Sequence, residues 1–320
     1  MPEDGVSLPD EGRMAPRWLA EMRRNASRTE DHTRPHGFYV NYQKFAAVHV
    51  ARGHEVLMVT FDNLSAVNDD ALGREAWGDK FFAENNWSSL GILSFEANWY
   101  RDEILFDYLE SLRDQGFFAR YKKVVFTGTS MGGYAALAFS GLAPGATVLA
   151  YSPQSTLDEA LVPWEDRFKS GRKQDWSGRY RDTSTLIGDT SKAYLCYDPY
   201  MPGDKAHADR IKGDQVVHLH TNYVGHKNVV FLRRADILKH ITMLCVTGDM
   251  TPAIFNQLYR SRRKLPWYYY GLMDMALKRG HMGLSQRIIR AAKQASGNPN
   301  LTGALQKRRK MFLGQDGDKA

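Results

Sequence analysis

From LGILSFE at residue 90 to about residue 240, short apolar runs alternate with stretches of helical spacing, and this alternation limits the fold more than any other feature of the chain. LGILSFE, KKVVFTG, TVLAYS, KAYLCYD and QVVHLHTN read as strands. Between the first two, Ile104, Leu105, Tyr108, Leu109 and Leu112 recur at helical spacing with Gly116 at the C-cap. Further helices are expected at 131 to 143, around 206 to 212, and at 228 to 240. Strands separated by helices pair in parallel through right-handed crossovers, with helices on both faces. The expected fold class is therefore α/β, with a mostly parallel, doubly wound sheet.

The flanks follow other rules. From Gly37 come FYVNY, FAAVHVA and EVLMVTF, and the turn Arg52-Gly53-His54 between the last two predicts a strand pair joined by a glycine turn. Residues 62 to 89 are polar and irregular, a length of loop that is more often functional than inert. Residues 1 to 30 show little periodicity beyond Trp18, Leu19 and Met22, which suggests a mobile leader with one helical turn. Beyond Thr251 strand signals vanish, and PWYYYGLMDMALKRGHMGLSQRIIRAAKQA predicts a helical hairpin with Gly280 and Gly283 between its helices. A single hairpin cannot bury its own face, so it must pack on the core or on a protein partner. The expected division is a leader at 1–30, a core at 31–250, a helical extension at 251–310 and a disordered tail at 311–320.

Composition sets outer limits. With 320 residues, 43% of them hydrophobic and 25% charged, the chain can bury one large core with an appendage. It has no apolar run of the ~18 residues that a spanning helix needs, and its N-terminus lacks a basic region followed by an apolar one. A cytoplasmic protein without a membrane span is expected. Cys196 and Cys245 lie in apolar stretches without CxxC or Cys/His ligand spacing, as small buried thiols do. The net charge of +7 is strongest in RSRRK (260–264) and KRRK (307–310). These read as a solvated basic tail, and with no zinc-finger or RNP motif beside them no specific nucleic acid binding is expected.

Within the alternating region, VVFTGTSMGGYAAL carries the chemistry. Gly128-Thr129-Ser130-Met131-Gly132 fits G-x-S-x-G between an apolar strand and a helix, the context that gives the motif mechanical meaning. A sharp strand-to-helix turn projects the serine Oγ from the sheet edge, and flanking glycines avoid collision with neighbouring backbone. The helix then aims its free N–H groups at the point where an oxyanion forms, Met131 N–H among them.

A serine hydroxyl needs a base, and the base needs an orienting acid. Of the ten histidines, His32 and His36 precede the sheet, His54 lies in the hairpin turn, and His281 lies in the helical appendage. His218 and His220 alternate within a strand. His226, in Tyr223-Val224-Gly225-His226, comes just after the last strand and before the final core helix, and is the candidate base. The acid belongs in the loop after KAYLCYD, where both Asp204 and Asp198 qualify; Asp204 is favoured by its place in the loop, although it could equally cap the helix that follows, as Asp198 could cap the local turn.

The stretch GTSMGGYAAL, the loop YDPYMPGDKAHA and the YVGH loop, in that order, resemble the α/β-hydrolase superfamily of serine esterases and acyltransferases over roughly residues 36 to 246. The resemblance implies a triad of Ser130, His226 and Asp204 or Asp198. It also implies an oxyanion hole of Met131 N–H with an N–H from the loop after VTFDNL, where Asn63 or Leu64 is the candidate. The SMGGYAA elbow is similar to that of hydrolase-like proteins linked to bacterial surface glycans, so a small-molecule or glycan-linked acyl substrate is implied, with no metal or redox cofactor. A hydrolase-fold scaffold that binds a partner without turnover is the competing reading. Nucleotide-dependent redox chemistry lacks a P-loop, a G-x-G-x-x-G after a strand and a paired cysteine.

Two further stretches have double readings. Asn98-Trp99-Tyr100, at the end of a strand, is a candidate pocket wall for the substrate or an aromatic helix start packed in the core. The basic stretch at 167 to 182 is a solvated loop or a cap over an anionic substrate. Trp267 to Tyr270 read as a docking surface for the helical appendage.

Overall fold

The computed structural model describes residues 17–28, 37–67, 74–296 and 298–317. In chain order its elements begin with α1 (Arg17–Arg28), β1 (Gly37–Asn41), β2 (Phe45–Val50), β3 (Val56–Phe61), α2 (Asp79–Glu84), β4 (Ser88–Ser94), α3 (Glu103–Asp114), β5 (Lys123–Thr129) and α4 (Met131–Ala138). Then come β6 (Thr147–Tyr151), α5 (Lys169–Arg172), β7 (Lys192–Tyr197), α6 (Pro202–Arg210), β8 (Val216–His220), α7 (Asn228–Arg234), α8 (Leu238–Thr247) and α9 (Pro252–Leu258). The last are α10 (Pro266–Lys278), α11 (Met282–Ser296) and α12 (Pro299–Gly317).

The strands form one eight-stranded sheet in the order β1-β2-β4-β3-β5-β6-β7-β8. The inner strands β4, β3, β5 and β6 pair in parallel. β2 is antiparallel to both β1 and β4. This corrects the expected hairpin of FAAVHVA with EVLMVTF: Arg52 to His54 turn the chain, but β2 and β3 flank β4 instead of each other. All six residues of β2 are buried, so its neighbours are chosen by burial on both faces and not by the turn that follows it.

By contact density the chain divides into two compact units, 1–195 with 206–217, and 196–205 with 218–320. In the first, α4 is buried along its whole length. Helix α1 is longer than the single turn expected of the leader. Its Trp18 and Leu19 are buried with Tyr39, Ala46 and Val48, and the Trp18 ring stacks on Tyr39 at 5.2 Å. Arg52, buried beneath it, bridges Glu21 and Asp79 at 2.6 and 2.8 Å. Helix α1 thus packs on the sheet through Trp18, Leu19 and Met22, while 1–16 and 29–36 lie outside the described residues.

In the second unit three helices, not two, share a small core of Tyr269, Met273, Ala276, Leu277, Ile288, Ala292, Leu301 and Leu305. Residues 311–317, expected in a disordered tail, continue α12; 318–320 lie outside the described residues. No described helix is long and apolar enough to cross a membrane.

Candidate active site

The elbow grows from β5. Thr129 ends the strand, Ser130 takes φ 54° and ψ −115°, and α4 starts at Met131. A non-glycine residue there costs about 1–3 kcal/mol and persists only where its surroundings over-determine it. Here Ser130 N–H donates to Tyr151 O at 2.8 Å and Ser130 O accepts from Tyr134 N–H at 3.0 Å. The glycines are dictated by packing: a methyl on Gly128 would collide with the backbone of Gly132, and one on Gly132 with the Phe61 carbonyl. The first turn of α4 therefore lies against the end of β3, where the loop carrying Asp62 and Asn63 begins. The chain thus has an α/β fold with a serine at a strand-to-helix turn.

Beyond β3 the loop opens with Asp62, whose carboxylate meets Arg74 at 3.1 Å and accepts from Ser94 N–H at 3.2 Å. Asn63 caps the next turn, its Oδ1 accepting from Ser65 N–H at 2.8 Å. Its side chain is thereby engaged locally, so any oxyanion contact from this residue falls to the backbone.

The histidine and the two acids lie in the second unit. Asp204 sits in the first turn of α6, fully buried at its side chain, while the His226 side chain is 25% exposed. His226 Nδ1 donates to both Asp204 oxygens, at 2.9 and 2.8 Å. Because a carboxylate only accepts, the ring proton is on Nδ1 and the basic lone pair on Nε2.

Asp198 does different work. Its Oδ2 accepts from the N–H groups of Val224 and Gly225 at 2.8 and 2.7 Å, and its Oδ1 from Tyr200 N–H at 2.9 Å. Burial raises its pKa, opposed by these backbone N–H groups. Asp198 fixes the loop that carries His226; Asp204 meets the ring. Sequence position could not separate them, because either residue type at either place could equally cap the local backbone.

The same loop is braced by the C-terminal helices, a feature the sequence reading missed. Tyr223, at φ 68°, stacks on Tyr200 at 4.4 Å and packs against Tyr268 at 6.1 Å. Tyr259 Oη donates to Asn222 O at 2.9 Å. Gly271 of α10 approaches the Tyr223 carbonyl so closely that a methyl there would overlap it. Trp267 meets Phe231 of α7 edge-on at 5.7 Å, and Tyr269 is buried, so the aromatic run does dock its helix.

Asn98, Trp99 and Tyr100 do not form an open pocket wall. All three are buried; Trp99 Nε1 donates to Gln154 at 3.0 Å, Tyr100 Oη to Asp62 O at 3.0 Å, and Asn98 Oδ1 accepts from Tyr100 N–H at 2.9 Å. Trp99 and Tyr100 take positive φ, a tight corner that local residue types do not announce.

The basic stretch at 167–182 is largely neutralised within its own unit. Arg167 pairs with Glu165, Arg172 with Glu159, Arg181 with Asp158, and Arg179 with Glu103, Asp107 and Glu110. Buried Arg101 holds this segment by donating to the carbonyls of Asp175, Ser177 and Arg179. A second Ser–His–acid chain occurs here: Ser155 N–H donates to His207 Nδ1 at 3.1 Å, and His207 Nε2 to Glu165 at 3.0 Å. Burial pushes the Glu165 carboxyl up, but the bonds from His207 and Arg167 win and hold it at about 2. All three side chains are buried, which suits a structural tie and not a nucleophile.

Burial raises the thiol pKa of both Cys196 and Cys245 well above the ordinary value, which keeps them protonated. Among the described residues no group of three or more His, Cys, Asp or Glu side chains is placed to hold a metal ion.

No family model matches the chain, and no curated protein matches it. Among solved structures it is similar to the capsule O-acetyltransferase of Neisseria meningitidis serogroup A, at 14% identity and a TM-score of 0.45, over 64% of this chain and 93% of that one. It is similar to the Glycosylation Associate Protein complex of Streptococcus agalactiae at 14% identity and a TM-score of 0.47, over 68% and 48%. An esterase of Pyrobaculum calidifontis gives 13% identity and a TM-score of 0.47, over 66% and 84%.

Proposed function

We propose that the chain is a serine ester hydrolase or acyltransferase that works through an acyl-enzyme on Ser130. His226 Nε2 takes the hydroxyl proton as Oγ attacks an acyl carbonyl, Asp204 holds the imidazole and stabilises its charged form, and Met131 N–H receives the oxyanion. The proton then passes from His226 to the leaving alcohol. Water or a second hydroxyl, deprotonated by the same base, releases the acyl group. The substrate class is a small-molecule or glycan-linked acyl ester.

The observation that carries this reading is the His226–Asp204 pair, a fixed-tautomer base in the chain order that a serine elbow needs. A scaffold without turnover has no use for such a base. Hydrolysis of short p-nitrophenyl esters tests it: wild type should turn over, with Ser130→Ala and His226→Ala reduced to the uncatalysed rate. Folded wild type with no activity on any acyl length, matched by both variants, would favour the scaffold.

A further inference from the structure

The charge of the chain is segregated. Residues 251–320 hold 14 Lys and Arg against three Asp and Glu, a net +11, which leaves residues 1–250 at −4 within the total of +7. The excess is not an unstructured tail, because KRRK lies inside α12.

Exposed apolar groups are segregated too. Among the described residues the large hydrophobic side chains left exposed are Ile104, Trp164, Leu284, Met311 and Leu313, the last three at 38%, 59% and 39%. Those three belong to α11 and α12. Arg309 Nε donates to Ser285 Oγ at 2.8 Å, which places the start of α11 beside the middle of α12, so that the residues after Arg309 run on past it. Arg308 Nη2 bonds Asp274 of α10 at 2.6 Å, and His281 N–H donates to Ala276 O at 2.8 Å where α10 turns into α11. Leu284, Met311 and Leu313 therefore share one end of the three-helix bundle with exposed Lys278, Arg287, Lys307 and Lys310.

We infer that this end of the bundle docks on an anionic lipid surface. Cations alone would serve any polyanion, but exposed aliphatic side chains among them gain nothing from a phosphate backbone. A bilayer interface accepts both: the apolar groups enter the headgroup boundary and the lysines meet anionic lipid. Arg279 at the same end lies over the Tyr200 ring, 5.3 Å from its centre, and Tyr200 stacks on Tyr223 of the His226 loop. The docking end is thus continuous with that loop, although the inference does not depend on catalysis.

Co-sedimentation of the full chain with vesicles tests it. Phosphatidylcholine vesicles containing about a third phosphatidylglycerol should pull the chain down at low salt, and pure phosphatidylcholine should not. Lys307→Gln with Lys310→Gln should weaken binding about thirty-fold, from a few-fold per cation. Met311→Ser with Leu313→Ser should also weaken it while leaving retention on double-stranded DNA unchanged, and Ile104→Ser, outside the bundle, should change neither. All these side chains are exposed, so folding is preserved and a thermal melt checks it. Equal binding to both vesicle types, no sedimentation with the anionic one, or a Met311/Leu313 pair that matters no more than Ile104 overturns the inference. In the last case retention on DNA assigns the surface to nucleic acid.

Discussion

Ser130 and His226 stand out as candidates in the sequence because each is announced by its immediate neighbours, glycines around the one and a glycine before the other. The choice between Asp198 and Asp204 is not announced in this way, since it depends on which carboxylate the returning loop meets. The geometry makes the two acids experimentally distinct. Asp204→Asn cannot hold the proton on His226 Nδ1, so kcat should fall about ten-thousandfold with little change in KM. Asp198→Asn keeps an acceptor for Val224 and Gly225 N–H but loses the charge, so activity should fall only about tenfold, with about 1–2 kcal/mol of stability. Steady-state kinetics and urea melts of the two variants check this, and equal losses of kcat would contradict the assigned roles. Gly132→Ala should prevent a native elbow, because its methyl meets the Phe61 and Asp62 carbonyls; loss of both activity and cooperative unfolding is expected.

At the scale of elements, the parallel inner strands followed from the alternation of apolar runs and helical spacing. What failed were choices of neighbour. Nothing in FAAVHVA says that one of its antiparallel partners is LGILSFE, which begins 45 residues on, and nothing in Trp18 and Leu19 says that they cover the sheet. The bracing of the His226 loop was equally hidden, because Gly271 sits in α10 as an ordinary helical residue. Gly271 and Gly283 form a matched pair: both are helical, and a methyl at Gly283 meets nothing within 4 Å. Gly→Ala in a helix normally stabilises by about 1 kcal/mol. Gly283→Ala, in the first turn of α11, should gain a part of this, whereas Gly271→Ala should displace Tyr223 and lower both the melting temperature and kcat. The Nδ1 proton resonance of His226, moved downfield and protected from exchange by its bond to Asp204, should broaden in Gly271→Ala alone. An unchanged resonance and unchanged kcat there would show that the helices do not hold the loop.

At the scale of the whole molecule, stability carries a pH signature. His49 is buried, with Nδ1–H donating to Ser89 O at 2.8 Å and Tyr121 Oη 3.2 Å from Nε2, and burial holds its pKa at about 4 against an ordinary 6.5. The unfolded chain therefore takes up the proton first, and stability present above pH 6.5 drains away down to about pH 4, by about 3 kcal/mol. Glu165, held at about 2, extends the loss from about 4.5 downward, since its unfolded carboxylate is protonated first. Denaturant melts across this range should show the slope, and His49→Gln should flatten its upper part. Net charge was the least informative whole-chain number: +7 conceals a basic helical end and an acidic remainder.

The proposed reaction rests on an activated Ser130. Its most direct test is exposure to a fluorophosphonate followed by intact-mass measurement and peptide mapping. One adduct on Ser130 is expected in wild type, slowed by orders of magnitude in His226→Ala and Asp204→Asn. A folded wild-type chain that takes up no adduct, or takes it up on Ser130 at the same rate in both variants, would contradict an activated serine.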